Sequence, residues 1–307
     1  MLEFTWAAVR CCIAVRLFLM PVSTSHIGRS IFTVSHAYHE KQNKIREHFC
    51  QVSAKMFPIA RSEIINIVSY GGGVNSTALL VGLRQHRIPV DVILFADTGA
   101  EHPHTYAYLD TMNQWLKEHN MPQITQVYKT TRDGLRLTLE EECLCSGSLP
   151  SIAYGQKKCS LKHKIQPQDK FCNHHPECRK VWAQGKKVVK FIGYDAGEQY
   201  RKDKILLRDL ADPKYSKWYP LMEWGWNRED CIQAIHAAGL PQPGKSSCFF
   251  CPSMRANEII ALREQHPDLY RRALAVEEAA IPNLRTVKGL GRNFSWAERY
   301  GKDTQYG

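Results

Sequence analysis

Three consecutive glycines, Gly71, Gly72 and Gly73, lie between an apolar run and a helix-like run, and no other stretch constrains the fold as tightly. Ile64 to Tyr70 (IINIVSY) reads as a buried strand and Ala78 to His86 (ALLVGLRQH) as a helix, so the glycines occupy a strand-to-helix turn. Glycine there permits positive φ and lets backbone N–H groups come close to a bound anion. The helix N-terminus adds partial positive charge, and Asn75, Ser76 and Thr77 can cap it or touch phosphate. A nucleotide phosphate is the expected guest. A glycine-rich turn with an ordinary cap is the plainer alternative.

A second apolar run, Val92 to Ala96 (VILFA), ends in Asp97-Thr98-Gly99-Ala100-Glu101-His102-Pro103-His104-Thr105. Ligands of open parallel sheets collect at the carboxyl ends of strands, near the point where the strand order reverses. Asp97 belongs at such an end, beside the glycine turn if the two strands are neighbours. Thr105 to Asn120 then carries apolar residues at helical spacing. A third segment of this kind follows the strand-like Val188 to Gly193, with Glu198 and Arg201 placed to reach the same crevice. Arg201 can clamp a phosphate or acid group in bidentate fashion; a solvent-facing Glu-to-Arg pair is the alternative.

These stretches resemble the PP-loop ATP pyrophosphatase superfamily, and within it the phosphoadenylyl-sulfate (PAPS) reductase-like family. The family loop Ser-Gly-Gly-x-Asp-Ser aligns with Gly71-Gly72-Gly73-Val74-Asn75-Ser76, departing from it at Gly71 and Asn75. The family's Asp-Thr-Gly-x-x-x-Pro-x-Thr pattern is matched in full by Asp97, Thr98, Gly99, Pro103 and Thr105, and its Gly-x-x-x-x-Glu-x-x-Arg by Gly193, Glu198 and Arg201. The resemblance runs over roughly residues 62 to 255. It implies an α/β fold, a Rossmann-like (adenine nucleotide alpha hydrolase-like) parallel sheet flanked by helices. It also implies ATP, or another adenine nucleotide, with Mg2+, held by Ser69, Gly71, Gly72, Gly73, Asn75, Ser76, Thr77, Asp97, Thr98 and Gly99. Asn75, Ser76, Asp97 and Arg201 inherit catalytic roles by the same alignment.

Eleven cysteines in a chain with no secretory signature point to metal or redox chemistry in place of a disulfide framework. Cys248 and Cys251 form a C-x-x-C able to grip one ion from a tight turn. The PAPS reductase-like pattern implies Cys159, Cys248 and Cys251 as ligands together with Cys143 or Cys145, with Cys145 the choice made here. A 4Fe-4S cluster and Zn2+ both suit such a set, and buried unpaired thiols are the alternative. Cys172, His174, His175 and Cys178 make a second, tighter zinc candidate, and Cys231 is expected on the inner face of a helix from Arg228 to Ala238.

The formal charge of +11 favours an acidic partner, such as a nucleotide or a nucleic acid, and the C-terminal mixture of Lys288, Arg292, Arg299 and Lys302 with Phe294, Trp296 and Tyr300 fits that class. The apolar stretch from Val9 to Met20 is interrupted by Arg10 and Arg16 and is too short to span a bilayer, so no membrane partner and a cytoplasmic location are expected. Three regions follow: an extension over 1–60, with Met56 as the expected start; a nucleotide-binding domain over 61–255 with a Cys-rich region at 140–180; and a helical, basic extension over 256–307. The expected activity is ATP-dependent adenylation with pyrophosphate release, coupled to sulfur transfer from a donor protein. Sulfonucleotide reduction is a second reading, although no Glu-Cys-Gly-Leu-His segment follows Cys251. A catalytically silent nucleotide- or nucleic-acid-binding module is a third, favoured by the departures at Gly71 and Asn75.

Overall fold

The three strand-like runs become β1 (Asn66–Tyr70), β2 (Val92–Asp97) and β4 (Val188–Ile192) in the computed structural model, which describes residues 64–301. Strands β3 (Ile124–Tyr128) and β5 (Tyr215–Trp218), which the sequence reading did not single out, complete the set. They form one sheet in the order β3-β2-β1-β4-β5, parallel at every pairing. The expected 1–60 extension, Cys11, Cys12, Cys50 and Lys302 lie outside the described residues. Every residue of β2 is buried, as a parallel strand covered on both faces requires. The chain runs outward from β1 through β2 to β3, then returns to place β4 on the other side of β1. The carboxyl ends of β1 and β4 therefore flank the crevice at which the strand order reverses.

Helix α1 (Val74–Gln85) leaves β1 directly, and α2 (Pro103–Glu118) follows β2, opened by Pro103 in its first turn. Helix α1 starts four residues earlier than the apolar pattern indicates, so Asn75, Ser76 and Thr77 belong to its first turn and the cap is Gly73. Helix α3 (Leu139–Ser146) is opened by Thr138 and Glu141 in a capping box and closed by left-handed Gly147. A one-turn π-helix, Leu161–Ile165, leads into α4 (Gln166–His174), and α5 (Pro176–Ala183) follows. On the other half of the sheet come α6 (Gln199–Leu210) and α7 (Arg228–Ala237). The Asn227 side chain accepts from the N–H groups of Glu229 and Asp230 at 2.7 and 3.1 Å, the cap that the sequence signals. The chain ends in α8 (Ala256–Gln265), α9 (Pro267–Ala280) and the short helix Trp296–Tyr300.

Alternation along the strands divides the core. One face joins Ile67, Leu94 and Val188 to Cys172, Cys178 and Val181 of α4 and α5. On the other face α7 packs against α1 with Cys231 fully buried, as its helical position implies. A second apolar cluster lies outside the sheet. There Cys143 and Leu139 of α3 meet Phe249, Phe250, Val276 of α9 and Trp296, so the segment after β3 shares a core with the C-terminal helices. Among the described residues no helix is long and apolar enough to cross a membrane.

That second core is organised around a buried carboxylate. Glu277 of α9 accepts from the N–H groups of Leu290, Trp296 and Ala297 at 2.7, 2.9 and 2.9 Å and from the Ser295 hydroxyl at 2.7 Å. Leu290, Ser295 and Trp296 are buried, so their donors have no water to turn to when the acceptor is removed, and each buried orphan costs roughly 1–3 kcal/mol. Glu277→Ala is expected to lower unfolding stability by at least about 3 kcal/mol and to open the 285–299 segment to trypsin, measured by urea titration and limited proteolysis.

Candidate active site

The glycine turn places backbone donors at the strand-order reversal. Gly72 sits at φ +74°, a conformation that a β-carbon would strain, and a β-carbon there would lie 2.9 Å from Thr105. Gly73 caps α1 with no side chain, so the N–H groups of Val74 and Asn75 open the helix without an intrahelical acceptor. The Ser76 hydroxyl accepts from the Gly73 N–H at 3.3 Å and donates to the Gly73 carbonyl at 3.0 Å, which holds the turn. Ser246 binds the Gly71 carbonyl from the far side. Two of the expected phosphate ligands turn away from this cradle. Thr77 is fully buried with its hydroxyl 3.2 Å from that of Tyr70, and Ser69 donates to Gln168 at 2.7 Å.

The loop after β4 closes on the same turn. A β-carbon on Gly193 would stand 3.1 Å from the Asn75 carbonyl oxygen and the Ser76 α-carbon, so glycine spares this close approach a tight contact with backbone. Asn75 spans the gap: its amide donates to Asp195 at 2.9 Å and to Glu198 at 3.0 Å, and its carbonyl accepts from Arg228 at 2.9 Å. An aspartate at this position would set a third carboxylate against those two. An asparagine at position 75 in place of an aspartate therefore has a local electrostatic reason. Arg201 pairs with Glu198 and stacks over the Tyr194 ring at 4.1 Å; burial works against its charge, but Glu198 and Tyr194 hold its pKa above the ordinary value.

β1 and β2 are neighbours, with Tyr70 beside Phe95, so Asp97 does end beside the glycine turn. It is buried and saturated. One carboxylate oxygen accepts from the Gly99 N–H at 2.7 Å and the Tyr106 hydroxyl at 2.8 Å, and the other pairs with Arg136 at 2.5 Å. Thr98 donates to Glu101 at 3.2 Å. Glu101 also takes Lys164 from the π-helical turn at 2.9 Å, while its second oxygen is buried without a hydrogen-bond partner. Burial opposes the Lys164 charge, yet the Glu101 carboxylate outweighs it and raises the pKa.

Glu101 forms an isolated antiparallel bridge with Cys248, which brings the C-x-x-C to the crevice. The Cys248 thiol is pushed up, first by its hydrogen bond to Cys251 and then by burial. That hydrogen bond, with help from the Ser253 hydroxyl at 3.0 Å, draws Cys251 down to about 6. Cys159 packs on the same apolar cluster as Cys248 and Cys143, but Cys145, two residues along α3 from Cys143, is exposed. No group of three or more His, Cys, Asp and Glu side chains gathers as a metal centre among the described residues, so the expected four-cysteine set does not converge. The tighter zinc candidate divides in the same way. Cys172 and Cys178 face the sheet, while His174 is exposed and bonds the Lys170 carbonyl at 2.7 Å.

Beside Ser246 opens a cleft of about 160 Å3 lined by His102, His104, Lys245, Glu258 and His266. Burial, then the neighbouring His104 and His266, lower the His102 pKa to about 4, so its ring is neutral near pH 7. Sequence reasoning missed Arg136, Ser246 and Arg228. Each reaches the site from a loop or helix start 39 to 175 residues distant from its partner, and none carries a motif.

No protein-family model matches the chain, and no curated protein matches its sequence. One solved structure that it resembles is the U34-tRNA thiolase NcsA from Methanococcus maripaludis with its [4Fe-4S] cluster, at 12% identity and a TM-score of 0.39, over 73% of this chain and 74% of that one. A likeness at that level assigns neither the site nor the reaction of this chain.

The unequal thiols give a chemical signature. Iodoacetamide is expected to alkylate Cys251 with a rate that rises through pH 6 and levels above it, because the thiolate is the reacting form. Cys248 is expected to stay unmodified until well above pH 9, and peptide mapping of the metal-free protein reads both sites. A Cys251 profile centred at an ordinary thiol pKa would contradict the Cys248–Cys251 hydrogen bond.

Proposed function

We propose that the chain binds ATP at the glycine turn and activates an acceptor oxygen by adenylation, releasing pyrophosphate and preparing the acceptor for attack by sulfur. The observation that supports this reading most strongly is the uncapped start of α1, carried by left-handed Gly72 to the strand-order reversal. A helix N-terminus of this kind favours phosphate through its N–H groups and its dipole together.

The chemistry follows from that placement. The acceptor oxygen attacks the α-phosphorus, the bond from that phosphorus to the bridging oxygen breaks, and pyrophosphate leaves with the charge. The N–H groups of the turn are aimed at that developing charge, an arrangement whose donors are each worth about 10²–10³ in rate where measured. A sulfur nucleophile then attacks the activated carbon, the carbon–oxygen bond breaks and AMP departs. Asp195 and Glu198 are the carboxylates that would hold Mg2+, since this ion commonly takes one or two carboxylates and completes its shell with phosphates and water. When bound, Mg2+ supplies charge neutralisation on the triphosphate. Arg201 pairs with Glu198, and Arg228 joins the same junction through the Asn75 carbonyl. Because the four cysteines do not converge, no step here passes through a cluster.

A second reading, a nucleotide-binding module without turnover, is favoured by one observation. Asn75 is already held by Asp195, Glu198 and Arg228, which leaves its side chain no spare polar atom for substrate. Calorimetry with ATP and an assay of pyrophosphate release with candidate acceptors separate the two readings. Wild-type protein is expected to bind ATP, and Gly72→Val to weaken that binding by about a hundredfold with its circular dichroism unchanged, since the substitution strains the φ-positive turn. Binding without pyrophosphate release from any acceptor would favour the module. Absence of any association with ATP would remove both.

A further inference from the structure

The crevice has a rim whose chemistry the nucleotide reading does not use. One lip is the segment between α3 and α4. Residues 143–168 contain no aspartate or glutamate, yet hold Lys157, Lys158, Lys162 and Lys164. Lys164 anchors this lip at the site through Glu101, and Lys162 is tied to Glu142 at 2.8 Å, while Lys157 and Lys158 are exposed beside exposed Tyr154 and Leu161. The other lip is α6, whose cap residue is Glu198, the residue that binds Asn75.

On α6, Tyr200, Lys204 and Leu207 recur at i, i+4 and i+7 and so share one face. Tyr200 is 65% exposed and Leu207 74%. The Lys204 ammonium donates to the Tyr200 hydroxyl at 2.8 Å and lies 4.3 Å from the ring centroid, which ties the exposed ring to the helix. Lys204 first, and more weakly Lys157 of the other segment, lower the pKa of the Tyr200 phenol. Exposed Arg208 extends the charge, and Asp203, bonded to Gln199 at 2.8 Å, interrupts it.

We propose that this rim docks a single-stranded nucleic-acid segment, and that the acceptor activated in the crevice is a nucleotide of that segment. The inference rests on the adenylation reading for the acceptor's role, not for the docking. Exposed cations on both segments, with an exposed ring among them for a base to stack on, are the combination that single strands require. A duplex offers no open base faces to Tyr200. A membrane suits the rim less, because the exposed pair Leu207 and Leu210 is flanked by Asp203, Lys204 and Arg208 and forms no broad face to bury in lipid.

The test uses the full-length chain and a fluorescein-labelled twelve-nucleotide oligouridylate, followed by anisotropy across a salt series. Its other arms are the matching deoxyoligonucleotide, a duplex of the same length, and phosphatidylserine vesicles. Calorimetry with ATP runs in parallel on every variant. Either single strand is expected to bind, more tightly than duplex or vesicles. Tyr200→Ala is expected to weaken it about tenfold, and Tyr200→Phe to retain it, because stacking needs the ring and not the hydroxyl. Lys157→Ala with Lys158→Ala is expected to reduce the slope of log affinity on log salt by about 0.7 for each phosphate contact removed. ATP affinity should be unchanged throughout. The proposal is overturned by absence of single-strand binding, by duplex or vesicles binding as tightly, or by Tyr200→Ala binding like wild type. Failure of the oligonucleotide with ATP binding intact removes the docking alone, whereas failure of ATP with the oligonucleotide bound leaves the rim standing and removes the adenylation reading.

Discussion

The meeting of two backbones, at the start of α1 and in the loop after β4, governs the rest of the site. Gly193 permits it, and Asn75 fastens it by joining Asp195, Glu198 and Arg228 through a neutral amide. The amide is suited to its place because it donates to acids and accepts from a base at once, which a carboxylate cannot do. With that junction fixed, the reversal of strand order is narrowed to a crevice. The N–H groups of the glycine turn form one wall of it and a pair of carboxylates the other.

Much of this was legible in the sequence because it is written in local physics. Three glycines between a strand-like and a helix-like run demanded a tight turn, and Asp97 at the end of the second run had to lie at a strand's carboxyl end. Parallel pairing is what the family resemblance implied, and every pairing of the sheet is parallel. What stayed hidden depends on contacts between distant segments. Arg136, Ser246 and Arg228 are ordinary residues until the fold brings them within 3 Å of Asp97, Gly71 and Asn75. Thr77 and Ser69 failed in the opposite sense. Their hydroxyls belong to the motif, but strand and helix periodicity turns them toward Tyr70 and Gln168.

The cysteines show where spacing alone stops being informative. Cys143 and Cys145 are equivalent by composition, yet two residues on a helix rotate a side chain by about 200°, so one enters the second core and the other meets solvent. Cys172 and Cys178 look like zinc ligands in sequence and act as apolar filling behind the sheet, because the helices that carry them aim both sulfurs inward and His174 outward. The C-x-x-C behaves differently. Its bridge to Glu101 sets it beside the crevice, and its two thiols differ in acidity because one bonds to the other.

The π-helical turn Leu161–Ile165 inserts one residue more than an α-turn would hold. This surplus lets two successive side chains find separate acids, His163 meeting Glu142 and Lys164 meeting Glu101. Excising a single residue there would restore ordinary winding and swing everything upstream by roughly 100° about the axis. Spacer length in this stretch is thus under tighter restraint than residue identity. Diverged versions of the chain should tolerate altered letters within the turn far more readily than altered letter count.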